Sequence, residues 1–240
     1  MDIRKLLASV ALIVSLSQPA AAMEAMSPDE MKEEHGGGIF HMLILEIDAD
    51  TSGSGRWDLD GWIGTDEDKL WLKSEGERKD GAIEEAEFWA LYSRNIATFW
   101  DAQIGLRFDA QPEATSYLTA GFEGLAPYYF ETEAHLFLSD DGNLSARIRE
   151  GNDFLLTQKL ILQPYAEINL SSSEVAEQEI GAGFTNAEIG IQARYEFTRK
   201  FAPYVELHYG QSFGETASIA RSNGEDAKEL TGRVGLRLMF

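Results

Sequence analysis

The sequence predicts an all-β chain, a transmembrane antiparallel up-and-down β-barrel of the outer-membrane type with about 12 strands. Three observations carry that expectation. Apolar and polar residues alternate with a period of two through most of the chain after residue 38. The links between alternating segments are short and long in turn. The last segment, residues 230–240, ends in an aromatic residue, Phe240, on its apolar face, as the assembly signal of outer-membrane barrels does.

The chain opens with Asp2, Arg4 and Lys5, an apolar run over 6–16, and Ala20-Ala21-Ala22. That order is a secretory signal peptide, residues 1–22. The apolar run is too short for a membrane-spanning helix, which needs about 20 residues. No later stretch is longer, so a membrane role requires a closed barrel, where every backbone group finds a partner.

The expected strands cover residues 39–240. Residues 39–48 set Leu43, Leu45 and Ile47 on one face, and 56–64 set Trp57, Leu59 and Ile63 against Asp58, Asp60 and Trp62. Residues 69–77 carry Leu70 and Leu72 opposite Trp71, Lys73 and Glu75, and 84–93 carry Phe88 and Tyr92 opposite Glu85, Glu87 and Trp89. In 99–109, Trp100, Ile104, Leu106 and Phe108 oppose Asp101, Gln103 and Arg107. In 115–125, Leu118 and Phe122 oppose Tyr117 and Glu123; in 128–138, Phe130, Leu136 and Leu138 oppose Glu131, Glu133 and His135. Residues 144–156 point Arg147 and Arg149 one way, and 160–170 point Tyr165 and Glu167 away from Leu160, Leu162 and Ile168. In 187–197, Ile189, Ile191 and Tyr195 oppose Glu188, Gln192 and Arg194; in 201–212, Val205, Leu207 and Tyr209 oppose Tyr204, Glu206 and His208. The last strand sets Leu230, Val234, Leu236 and Leu238 against Arg233 and Arg237.

Links after even-numbered strands are short, while the two longest, 171–186 and 213–228, follow odd-numbered ones. Short periplasmic turns and long external loops give this rhythm. A water-soluble barrel would turn its charged face out. A cylinder of this size has room for polar side chains and water inside, so the charged face is assigned to the lumen. There Glu46, Asp48, Asp58, Asp60, Glu85, Glu87, Glu131, Glu133, Glu188 and Glu206 are partly balanced by Arg147, Arg149, Arg194, Arg233 and Arg237. Buried charges must pair, so an acid–arginine network is expected for most of them, and a track admitting cations is the alternative.

The 20 Lys and Arg against 41 Asp and Glu give a net charge of −21. Cleaving two basic residues and one acidic one with the signal moves this to −22 and argues against nucleic acid as a partner. There are no cysteines, so metal ligands must be His, Met or carboxylate. His135 follows Glu133, and His208 follows Glu206, on the same inward face; imidazole with carboxylate suits Cu(II). A hydrogen-bonded luminal histidine without metal is the other reading of each. Residues 23–38 form a short flexible leader. Met23, Met26, Met31 and His35, with His41 and Met42 at its edge, supply the thioether and imidazole donors that select copper when thiolate is absent. A polar leader with incidental Met and His is the alternative. No nucleophile elbow, P-loop or zinc-protease motif occurs, so a non-enzymatic protein is expected.

The runs 57–64 (WDLDGWIG), 66–77 (DEDKLWLKSEGE) and 154–164 (FLLTQKLILQP), with Ala187-Glu188-Ile189-Gly190 and Phe201-Ala202-Pro203-Tyr204-Val205, resemble the copper resistance protein B family. The resemblance covers the chain from His41 onward. It implies an outer-membrane protein that binds copper ions, contributes to copper tolerance and works with periplasmic copper-resistance proteins. Family members often carry a longer Met- and His-rich leader than the one expected here. A passive acidic cation channel without a specific site is the rival expectation.

Overall fold

The computed structural model describes residues 38–240. The expected signal peptide (1–22) and nearly all of the expected leader, with Met23, Met26, Met31 and His35, lie outside the described residues. Residues 39–240 form one compact unit.

That unit is a closed antiparallel barrel of 12 strands. They are β1 (Phe40–Asp50), β2 (Gly55–Gly64), β3 (Asp68–Lys79), β4 (Ala82–Ala97), β5 (Trp100–Gln111), β6 (Thr115–Ala126), β7 (Phe130–Ser139), β8 (Leu144–Gly151), β9 (Leu160–Ser171), β10 (Gly183–Tyr195), β11 (Phe201–Ser212) and β12 (Lys228–Met239). A two-residue strand, Phe154–Leu155, continues β8 beyond a break, since both pieces pair with β9. Neighbours in sequence are neighbours in the sheet, and β12 returns to pair with β1, Leu45 opposite Leu238 and Asp50 opposite Arg233. The last residue takes part in closure: the Phe240 N–H donates to the Leu43 carbonyl at 2.8 Å. Closure leaves no sheet edge, the condition for placing strands in hydrocarbon.

The polarity of the wall is inverted relative to a soluble protein. On β5, Ile104, Leu106 and Phe108 face out, with Leu106 63% exposed, while Gln103 and Asp109 are buried inside. The same holds on β11, where Val205 and Leu207 are exposed while Glu206 and His208 are buried. An exposed apolar belt around buried ionisable groups is costly in water and favourable in lipid. Leu106→Arg, near the middle of its strand, is therefore expected to cost about 2–4 kcal/mol in bilayers. Denaturant unfolding from lipid vesicles measures it; a change within experimental error would place this face in water.

The interior is not purely ionic. Trp71, Trp89, Leu91, Tyr117 and Phe137 form a buried cluster, with Met42 and Trp62 packed against it. Register explains the belt: Met42 lies opposite Trp62, Trp62 opposite Trp71, and Trp71 opposite Leu91. The sequence reading turns the Trp and Tyr side chains inward but does not place Leu91 and Phe137 with them. Both sit at positions that alternate with outward residues, so the period carries them inside although they are apolar.

Three local expectations are corrected. The segment 144–156 is not one strand: Asn152 is buried and its side-chain amide donates to the Tyr128 carbonyl at 2.9 Å, which breaks the ladder. The strand expected from residue 128 starts at Phe130, because Pro127–Tyr129 form a tight 3-10 turn with Tyr128 and Tyr129 at φ 67° and 64°. The link 213–228 contains a helix, α1 (Gly214–Asn223), closed by Gly224 at φ 84°. It buries only Ala217, so it leaves no apolar stripe in the sequence.

Loop 172–182 lies between β9 and β10 and is tied to α1. The Gly181 N–H donates to Thr216 Oγ1 at 2.9 Å and Asn223 Nδ2 donates to Glu179 Oε1 at 2.6 Å. From there Gln178 reaches β6, donating to the Tyr117 hydroxyl at 2.8 Å and Thr115 Oγ1 at 3.2 Å. The loop is a strap over the end of the lumen that carries the long links.

Candidate functional site in the barrel lumen

Strand alternation delivers the ionisable side chains to the lumen, and closure decides which of them meet. Arg147 and Arg149 of β8 lie at the centre. Arg147 bonds Glu75 closely, reaches Glu87 at 3.0 Å and Glu167 at 3.4 Å; Arg149 reaches Glu75 at 3.0 Å and Glu167 at 2.7 Å. Arg107 bridges Glu87 at 2.5 Å and Asp109 at 2.7 Å, and Lys73 gathers Asp60, Glu123 and Glu133 at 3.1, 3.0 and 2.6 Å. Arg107 also lies over the Phe137, Tyr117 and Trp89 rings, which joins the network to the apolar belt.

A second network crosses the closure. Arg56 of β2 reaches Asp48 at 3.2 Å and Glu206 of β11 at 3.1 Å, Tyr204 donates to Asp48 at 2.9 Å, and Arg237 bonds Glu46. Near the centre, Asp58, Asp60, Lys73, Glu133, His135, Arg147 and Arg149 line a cavity of about 30 Å³, enough for a water molecule. Across the lumen carboxylates outnumber cations, and Glu85 and Glu131 form no ion pair or hydrogen bond among the described residues.

The histidines are held differently. His135 is buried, its Nε2 2.8 Å from Gln103 Oε1 and its ring edge-on to Trp89. Its ring lies against Gly121, where a Cβ would come within 2.4 Å of it, so only glycine fits beneath. Glu133 is engaged by Lys73, and no ion pair joins it to His135 among the described residues. His208 is also buried, with Nδ1 2.9 Å from the Tyr165 hydroxyl and Nε2 3.8 Å from Glu188 Oε2. Glu206 is held by Arg56, Tyr165 and Arg233. Both imidazoles hydrogen-bond across strands, to Gln103 of β5 and Tyr165 of β9, contacts that period-two reading cannot see.

His41 and Met42, grouped with the leader in the sequence reading, separate because consecutive strand residues face opposite ways. His41 is exposed, whereas Met42 packs on the luminal cluster. Among the described residues, no three His, Asp or Glu side chains gather closely enough to hold a metal ion. Sequence reasoning does not rank Arg56, Lys73, Arg107 and Gln103 as site residues. The first is visible only as the first residue of an expected strand; the others are assigned inward, but their partners lie on distant strands.

A closed cylinder with an apolar belt outside and a charged, packed lumen defines a β-barrel of the outer-membrane type. Solved structures agree on the fold. The NanC porin superposes with a TM-score of 0.54 at 11% identity, covering 83% of this chain and 99% of that one. The KdgM porin gives 0.50 at 9%, with the same coverage. The family model for "Copper resistance protein B precursor (CopB)" matches residues 39–240, and the chain belongs to that family. It is 36% identical over 211 residues to Copper resistance protein B of Escherichia coli, covering 86% of this chain and 71% of that protein. It is 42% identical over 194 residues to the Copper resistance protein B homolog of Pseudomonas syringae pv. tomato (strain ATCC BAA-871 / DC3000), covering 80% of this chain and 66% of that protein.

Proposed function

We propose that this chain is a non-enzymatic outer-membrane barrel that contributes to copper resistance by binding copper ions as cargo, in sequestration or in export across the membrane. The observation that carries the reading is membership of the copper resistance protein B family over the whole barrel, residues 39–240. Two buried luminal imidazoles and an excess of carboxylates supply the nitrogen and oxygen donors that suit Cu(II), and the net charge of −21 draws cations toward the protein. The leader's Met and His residues add soft donors for Cu(I), and an N-terminal signal peptide accounts for export. The test is a copper challenge of a strain lacking the gene, complemented with the full chain and with versions carrying His135→Ala, His208→Ala or a deletion of residues 23–38. Growth at copper concentrations that stop the uncomplemented strain is expected from the full chain; no gain in tolerance would refute the reading.

The passive acidic channel is the second reading, favoured by the carboxylates of Glu85 and Glu131, which have no ion pair among the described residues. The packed belt from Met42 to Phe137 weighs against it, because a passive pore needs a continuous water column. Reconstituted barrel that passes monovalent and divalent cations at similar rates would favour the channel.

A further inference from the structure

We infer that His208 and Glu188 form a luminal Cu(II)-binding point, with Nε2 of His208 and a carboxylate oxygen of Glu188 as its two protein donors and Tyr165 and Glu206 as the groups that set the imidazole tautomer. The inference rests on the copper-handling reading and locates the step within the barrel. Tyr165 has one hydroxyl proton and three neighbours: Glu206 Oε1 at 2.9 Å, His208 Nδ1 at 2.9 Å, and the Arg56 guanidinium, which can only donate to it. Glu206 faces the guanidinium groups of Arg56 at 3.1 Å and Arg233 at 3.4 Å. Arg56 also donates to Oε2 at 3.2 Å, so both carboxylate oxygens face N–H donors and stand as acceptors.

Tyr165 therefore donates to Glu206, and its oxygen receives the proton of Nδ1. That fixes His208 with hydrogen on Nδ1 and a free lone pair on Nε2, the arrangement in which a hydrogen-bonded partner orients a metal-binding imidazole. Stacking of the Tyr165 and His208 rings, 25° apart in plane, holds the orientation. Gly190 lies between them in register, and a Cβ there would approach the Tyr165 ring to 2.3 Å.

Nε2 points into a gap. Its nearest acidic neighbour is Glu188 Oε2 at 3.8 Å, too far for a hydrogen bond. Two donors on one first-row divalent ion, each bonded at about 2 Å, stand at most about 4 Å apart, so the separation suits an ion between them. Oε2 of Glu188 has no hydrogen bond among the described residues, while Oε1 has a long contact at 3.5 Å from Asn186. The gap is kept open by Gly210, whose added Cβ would stand 3.4 Å from Nε2 and 3.9 Å from Glu188 Cγ. His135 offers no equivalent: its Nε2 is taken by Gln103, and among the described residues no carboxylate oxygen stands within 4 Å of its ring nitrogens as Glu188 does for His208. With two protein donors, water completes the coordination sphere, and an ion so held leaves readily; this is a transfer point rather than a store.

The test is titration of the untagged full chain, folded into vesicles, with copper(II) chloride, read by electron paramagnetic resonance for nitrogen coupling and by competition for affinity. His208→Gln is expected to remove one nitrogen-coupled equivalent and His135→Gln to remove none. Tyr165→Phe, which keeps the ring and loses the relay, is expected to weaken that equivalent about tenfold. Gly210→Val leaves every donor in place and fills the gap, and is expected to abolish the equivalent; this serves if His208→Gln fails to fold. Unchanged stoichiometry and affinity in folded His208→Gln, or in Gly210→Val, would overturn the site. Full copper tolerance in cells carrying a binding-deficient variant would detach the site from resistance and leave the family role standing. A wild-type chain that confers no tolerance would instead remove the copper-handling reading itself.

Discussion

Replacing Arg147 with methionine is expected to destabilise the barrel by about 3–5 kcal/mol, the cost of leaving buried charges without their partner. The guanidinium serves three carboxylates at once, Glu75, Glu87 and Glu167, from three different strands. Its side chain is only 16% exposed, so little water is on hand to replace it. Methionine keeps an unbranched apolar stem in place of the arginine methylenes, so the loss is chiefly that of the guanidinium and its charge. Denaturant unfolding of barrel refolded into vesicles measures the change. Adding Glu75→Gln and Glu87→Gln to the variant is expected to restore much of the loss, because the acids no longer repel one another. A loss below about 1 kcal/mol would show the luminal ions to be as well hydrated as a surface pair.

Phe137→Ala is expected to have an effect of the same size, about 3–5 kcal/mol, for a different reason. Phe137 is 1% exposed although it points into a lumen lined with charge. Its ring meets Trp89 edge-on at 5.0 Å, lies 6.3 Å from Tyr117, and is covered by the Arg107 guanidinium at 4.8 Å. Truncation removes the apolar transfer energy and leaves a cavity beside groups that attract water. The same variant is expected to raise ion conductance of the reconstituted barrel, since the belt is the dry section of the interior. Stability near wild type with unchanged conductance would mean that the belt neither holds the wall together nor limits permeation.

The wall of the barrel was legible in the sequence because side-chain direction on a strand is a local property. Where Val205, Leu207 and Tyr209 alternate with Tyr204, Glu206 and His208, one face must leave water, and the observed strand Phe201–Ser212 has the expected bounds. The same logic oriented Arg233 and Arg237 inward on β12. It was weaker where a side chain turns back on the main chain, as Asn152 does, or where a link folds on its own, as α1 does. The candidate site was legible only in part. His208 could be placed inside, but its partners Tyr165 and Glu188 lie 43 and 20 positions away, and no pattern in the chain announces them.

Taken alone, the sequence determined that this chain alternates, how many strands it forms, which face of each meets lipid, and that charge must collect inside, because each follows from neighbours two residues apart. Only closure of the sheet decided that Arg56 meets Glu206 and that Arg237 meets Glu46, that Met42 and Phe137 join one apolar belt, and that one imidazole is locked by an amide while the other faces a gap. Those outcomes depend on register and on the curvature that brings remote strands together, and a one-dimensional pattern fixes neither.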